Sequence, residues 1–178
     1  MLHATTFASP LGNLRIICSY KGIIAISFDK TLPRKIESYG KIEEKSENEL
    51  LIQTVKELNE YFNGKRRSFD VELDLSLGTE FELRVWKSLS DIPYGTAISY
   101  SEQASHLLSA PKSVRAIARA NSKNPIPIIV PCHRVIAASN DICGYSSGVE
   151  KKRELLRLEG LEIVGNKVSH SNGKKFKI

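Results

Sequence analysis

The segment IPIIVPCHRVI, residues 126–136, sets a cysteine beside a histidine and an arginine in a chain with few other candidates for chemistry. Cysteine reacts as the thiolate, and a nearby imidazole and cationic side chains lower the cost of forming it. Cys132 with His133 and Arg134 therefore has the composition of a poised soft nucleophile. Two other readings compete, a metal ligand and a small buried residue. A structural zinc site needs about four ligands. Cys132, His133 and Cys143 supply three, two of them adjacent and poorly placed to converge, and His3 with Cys18 supplies two. Burial preference alone makes cysteine a core residue, but a core would then have to satisfy the polar groups of His133 and Arg134. Pro125, Pro127 and Pro131 stiffen the approach to the cysteine.

The elements around this segment can be read from periodicity and turn residues. HATTFASPLGNLRIICSYKGIIAISF alternates β-branched runs with turns at Ser9-Pro10 and Lys21-Gly22, which predicts three strands in an antiparallel meander. Asp29 to Lys45 is charged and poor in apolar residues, as expected of a surface loop with room for a short helix. Leu51, Val55, Leu58 and Phe62 have helical spacing, and Asn63-Gly64 supplies a stop. RSFDVELDL then reads as a strand or extended linker.

Short helices follow. Thr79 can cap one carrying Phe81, Val85, Trp86 and Leu89, ended by Pro93-Tyr94-Gly95. Ser99 with Glu102 is a capping box that opens a second, running to about Leu108. Pro111 fits the first turn of a third, PKSVRAIARAN, with Val114, Ile117 and Ala118 inward and Arg115 and Arg119 on another face. Two short helices with a tight connection resemble a helix-turn-helix. A final helix is expected over VEKKRELLRLEG, and the tail SNGKKFKI is polar and basic.

Charge narrows the partner. The 178 residues carry a net charge of +6, balanced at 11 basic and 11 acidic over residues 1–75 but 4 and 0 over 164–178. Gln103 to Asn140 holds Lys112, Arg115, Arg119, Lys123 and Arg134 with no Asp or Glu, a field suited to phosphate. An isolated Arg115/Arg119 pair would ordinarily be a solvated helix face; the acid-free surroundings and the helix-turn-helix spacing point instead to DNA. Tyr100 in ISYSEQ would ordinarily be a packing residue. The odd cysteine count argues against a disulfide framework, no apolar run approaches a membrane span, and MLHATTFASPLG has no secretory leader pattern. A cytoplasmic protein is expected, nuclear if the source is eukaryotic.

The ordered motifs TEFELRVWKSL, IPYGTAISY, PKSVRAIARANSKNPIPIIVPCHRVI, GYSSG and LLRLEG resemble the O6-alkylguanine-DNA alkyltransferase family from about Thr79 to Gly160. The resemblance implies an α+β protein. A ribonuclease-H-like α/β domain over residues 1–75 precedes a mostly helical, winged-helix-like domain over 76–163 and a basic tail over 164–178. It implies a monomer acting on double-stranded DNA that contains O6-alkylguanine, with O4-methylthymine open to the same chemistry, and with no cofactor and no membrane partner. Cys132 is then the acceptor and His133 its base, acting through a water. Glu159 orients the imidazole, Asn124 braces the turn, and Tyr100 supplies a proton to guanine. Arg115, Ala116, Arg119, Lys112 and Tyr100 contact DNA during base flipping from the minor groove, where the alanines Ala116, Ala118 and Ala120 permit close approach. Val135, Tyr145, Ser146 and Ser147 line the substrate pocket.

Ser147 stands where many relatives carry glycine or a bulky basic residue, which implies a narrower alkyl pocket. SYSEQASHLLSAPK is one residue longer than in some relatives. Two other functions fit parts of the pattern. An alkyltransferase-like module binds damage without reacting, but such modules lack the cysteine. A thiol hydrolase would need His133 in direct contact with the thiol, and adjacency in sequence opposes that.

Overall fold

The computed structural model describes residues 1–28, 33–44, 47–107 and 114–169. The chain forms two compact units, one of residues 1–79 with 125–129, the other of residues 80–124 with 130–178. The pair makes an α+β protein, a sheet unit and a helical unit.

In the first unit, β1 (Leu2–Ser9), β2 (Gly12–Cys18) and β3 (Ile23–Phe28) form the expected antiparallel meander. Ser9 shapes the first turn, its Oγ donating to Gly12 O and accepting from Leu11 N. At the second turn a Cβ on Gly22 would lie 2.7 Å from Glu72 O, so only glycine lets the residue 71–74 segment approach. That segment is extended, with Ile23 N donating to Glu72 O and Asp74 N to Ile23 O.

The charged stretch expected to be a surface loop holds more structure than that. A 3-10 turn (Arg34–Tyr39) leads into β4 (Ile42–Glu44), which pairs parallel to β1 and completes the order β3-β2-β1-β4. Ile42 packs against the cluster of Leu2, Ala4, Ile17 and Ile36, which is reason enough for three residues to join the sheet. Helix α1 (Glu49–Phe62) starts at Asn48, whose side chain accepts from Leu50 N and Leu51 N. Its buried face is Leu51, Thr54, Glu57, Leu58 and Tyr61, turned from the Val55/Phe62 line the spacing suggested. Ile26 N donates to Pro125 O, which brings residues 125–129 into this unit.

The second unit contains α2 (Glu80–Ser90), α3 (Tyr100–Leu107), α4 (Val114–Ser122) and α5 (Val149–Leu158). Short strands β5 (Ile98–Ser99) and β6 (Val135–Ile136) pair in parallel. The hairpin β7 (Ile163–Val164) and β8 (Lys167–Val168) takes in part of the segment read as a tail. The capping box forms as predicted, Ser99 N donating to Glu102 Oε2 and Glu102 N to Ser99 Oγ. Trp86 Nε1 donates to Ala120 O, and Asn121 Nδ2 to Gln103 Oε1, so buried polar bonds join α2, α3 and α4. Pro111 and Lys112 lie outside the described residues.

Candidate active site

Cys132 opens a one-turn 3-10 helix, Cys132–Arg134, which passes directly into β6. Because β6 pairs with β5, the residue after β5, Tyr100, is held beside the cysteine segment at the start of α3. Cys132 is 6% exposed, and its sulfur accepts a hydrogen bond from Asn124 Nδ2 at 3.2 Å. The same amide nitrogen donates to Val130 O at 2.7 Å, closing the excursion of residues 125–129. Within that excursion Ile128 has φ 77° while fully buried, a left-handed conformation that costs a β-branched residue about 1–3 kcal/mol.

His133 has a different partner. Its Nε2 lies 2.7 Å from Glu159 Oε1 with both side chains fully buried. Glu159 follows the last residue of α5 and also accepts from Arg134 Nε (2.9 Å), from the second Arg134 nitrogen (3.0 Å) and from Gly95 N (3.1 Å). Burial pushes the Glu159 carboxyl up, but His133 and Arg134 outweigh it and hold the group well below the ordinary range. An ionised carboxylate is acceptor only, so Nε2 must carry the imidazole proton and Nδ1 keeps a lone pair. Burial, with Arg134 and Lys152 nearby, outweighs Glu159 and lowers the His133 pKa, so the ring is neutral at neutral pH. Nδ1 is buried and has no partner among the described residues, and the sulfur and the imidazole share no direct hydrogen bond.

Gly95 is required by this arrangement twice over. Its φ is 73°, and a Cβ there would stand 2.9 Å from Glu159 O. Burial, then the thiols of Cys143 and Cys132, push the Tyr100 hydroxyl up to about 12, so it stays protonated and able to donate. Across from it a Cβ on Gly144 would be 3.3 Å from the Tyr100 oxygen. Burial likewise raises the Cys132 thiol, with the Asn124 N–H and the Lys152 charge acting against it.

Of the sequence-predicted residues, the structure brings together Cys132, Asn124, His133, Glu159 and Tyr100, with Val135 buried on β6. Tyr145 also lies near Cys132, and its phenol is raised well above its ordinary value by burial and then by that thiol. Ser146 is exposed and Ser147 half-buried. Arg115, Ala116 and Arg119 are exposed on α4, opposite the buried Ile117, Ala120 and Asn121. The cationic field read from the sequence is smaller than expected. Arg134 is buried and spent on Glu159 and on Ile92 O, and Lys123 pairs with Glu82 at 2.5 Å. The 3-10 turn aims the Arg134 side chain inward, an orientation the sequence count could not contain.

Three parts of the site were not anticipated, the Arg134 clamp, the Gly95 N–H and the buried Lys152, whose Nζ lies 5.8 Å from the Tyr100 ring centroid. Lys152 carried a legible signal. It falls on the same helical stripe as Leu155 and Leu156, where a lysine is out of place. Among the described residues no group of three or more His, Cys, Asp or Glu side chains is arranged to hold a metal ion. No described helix is long and apolar enough to cross a membrane.

Fold and site together define a helical unit built around a shielded cysteine with a histidine–carboxylate–arginine chain behind it. The family model for the DNA binding domain of 6-O-methylguanine DNA methyltransferase matches residues 80–161, and that for its ribonuclease-like domain matches residues 2–75. The chain is 40% identical over 166 residues to the methylated-DNA–protein-cysteine methyltransferase of Mycobacterium leprae, covering 92% of this chain and 96% of that one. A shorter match to the Mycobacterium tuberculosis protein of the same name is 55% identical over 105 residues but spans only 62% of that relative's length. Among solved structures, the Mycobacterium tuberculosis O6-methylguanine methyltransferase superposes with a TM-score of 0.77 at 41% identity, covering 89% of this chain and 93% of that one. A structure described as Mycobacterium tuberculosis OGT in complex with DNA gives 0.78 at 41% identity, covering 88% and 92%. The chain belongs to the 6-O-methylguanine DNA methyltransferase family.

Proposed function

We propose that this protein repairs O6-alkylguanine in double-stranded DNA by moving the alkyl group irreversibly to its own Cys132, one group per molecule. The observation that carries this reading is the shielded sulfur held by Asn124 with a His133–Glu159 pair behind it. The S–C bond forms as the bond from carbon to O6 breaks. The thiol proton passes through a water to His133 Nδ1, the one ring nitrogen with a free lone pair. Tyr100, kept protonated because burial holds its phenol near 12, hydrogen-bonds the departing guanine and lends it a proton as negative charge develops on the base. His133 then loses its added proton to solvent and Tyr100 regains one from solvent, so that in sum guanine gains the proton the thiol lost. The product is a thioether that nothing in the site is equipped to cleave.

The base must leave the helix first, at a cost of a few kcal/mol. Arg115 fills the gap, Ala116 allows close approach, Arg119 and Lys112 hold phosphates, and Tyr100 presses the target phosphate during rotation before it meets the flipped guanine. Exposed Arg115 and Arg119 beside a small residue on α4 support this assignment. Val135, Tyr145, Ser146 and Ser147 form the walls around the flipped base. O4-methylthymine is a second substrate on the same chemistry. The protein acts as a monomer in the compartment that holds the DNA, the cytoplasm in bacteria and archaea.

The test is to incubate the protein with DNA containing O6-methylguanine and map methyl gain by peptide mass spectrometry. A plateau of one methyl on Cys132 supports the proposal. Binding with no methyl gain would make it a damage-binding module, and repeated turnover of an ester or amide a thiol hydrolase. Arg115→Ala is expected to slow transfer from duplex DNA about 10- to 100-fold, the equivalent of the unstacking cost it offsets, and to leave transfer from the free base unchanged. Ser147→Gly is expected to raise the rate with free O6-benzylguanine several-fold while methyl transfer stays constant. Equal benzyl rates for the two proteins would show that Ser147 does not limit the pocket.

A further inference from the structure

Lys152 plays no part in the proton path just described, yet it sits among the groups that form it. Its side chain is fully buried on α5. Nζ donates to Val135 O at 2.6 Å, Cys143 O at 2.7 Å and Gly144 O at 3.3 Å, which uses all three protons of an ammonium. Val135 follows the Cys132–Arg134 turn, and Cys143-Gly144 precede Tyr145 to Ser147. One side chain thus ties the cysteine segment to the loop that carries Tyr145 to Ser147.

Burying a charge is costly unless something of opposite sign answers it. Carbonyl dipoles fix the ammonium but leave its net charge in place, and among the described residues no carboxylate pairs with Lys152. The titratable groups that face it are Cys132, Cys143, Tyr100 and His133. His133 can only add positive charge, and the Tyr100 phenol is held protonated. The two thiols remain. Of these, among the described residues only Cys132 has a side-chain N–H aimed at its sulfur, from Asn124.

We propose that Lys152 is a positioning residue for the transfer, a buried ammonium that ties the 143–147 loop to the cysteine segment and stabilises the Cys132 thiolate as it forms. The proposal rests on the reading of Cys132 as alkyl acceptor. Burial lowers the Lys152 pKa to about 8, so the charge is present at neutral pH, where the reaction needs it.

The experiment measures Cys132 modification by iodoacetamide against pH without DNA, each cysteine followed by peptide mass spectrometry, in parallel with methyl transfer from O6-methylguanine DNA. Lys152→Met keeps the chain length and removes the charge. It is expected to move the iodoacetamide midpoint of Cys132 up by about one pH unit, about tenfold less thiolate at a fixed pH below the midpoint, and to slow methyl transfer by a similar factor. Lys152→Arg is expected to recover most of the shift. Lys152→Gln repeats the measurement should the methionine variant fail to fold. An unmoved midpoint in a folded neutral variant overturns the proposal even where transfer is slow, because a purely structural lysine would do that. Absence of methyl transfer in the parent is instead a failure of the acceptor reading, which the iodoacetamide profile reads separately.

Discussion

Glu159→Gln is expected to lower the free energy of unfolding by about 3–5 kcal/mol at pH 7, the cost of removing one partner from a buried ion pair. The carboxylate receives four N–H groups, from His133, from Arg134 twice and from Gly95, in a fully buried position. A glutamine there offers one acceptor oxygen and places an NH2 against donors. The Arg134 guanidinium keeps its charge, which stays buried against the Ile92 carbonyl and the Tyr94 ring once the Glu159 carboxylate is gone. The expected loss is read as a fall in the urea midpoint at an unchanged slope. A difference under about 1 kcal/mol, the range of exposed pairs, would mean that the pair is not insulated from water.

The difference should shrink in acid. The folded carboxyl is held well below its ordinary value of 4.5. Above that value Glu159 is charged both folded and unfolded, so its full contribution is present. Below it the unfolded chain takes up a proton first, and the contribution falls with the pH. The parent and Glu159→Gln should therefore lie far apart at pH 7 and draw together toward about pH 3. Their spacing should stay constant if Glu159 owes nothing to its charge.

Which parts of this site can be read from the sequence follows from the range of the interactions. Cys132, His133 and Arg134 are contiguous, and the meander, the capping box at Ser99/Glu102 and the stop at Asn63-Gly64 are local, so residue order alone makes them legible. Strand β4 is not: it has one packed apolar residue and a parallel partner far earlier in the chain, Ile42 lying against Leu2. Glu159 lies 26 positions from His133, and only the family resemblance pointed to it. Arg134 and Lys152 show the deeper limit. Charge counting treats every cation as surface field, whereas these two are buried, one on a carboxylate and one on three carbonyls. Direction of a side chain, not its type, decides between phosphate binding and an internal clamp.

Cys132→Ser is expected to reduce methyl transfer from DNA by on the order of 10⁴-fold or more, the scale on which loss of a nucleophile acts. The substitution is close to isosteric, and a serine oxygen can accept from Asn124 Nδ2 as the sulfur does. Fold and DNA affinity are therefore expected to remain. What is lost is the anion. The neighbouring His133 is a weak base, its pKa lowered by burial and by Arg134 and Lys152, sufficient for a thiol whose anion Asn124 and Lys152 help to hold against burial but not for an aliphatic hydroxyl. Because the base is never restored, the variant should stay bound to O6-methylguanine DNA, while the parent releases repaired duplex after one event. The measurement pairs labelled methyl bound per protein with fluorescence anisotropy on methylated and unmethylated duplexes. Label appearing on Cys143 of the variant would move the acceptor role to the second thiol at the pocket. Label on the introduced serine at a rate near the parent's would mean that the thiolate is not what the site is built to hold.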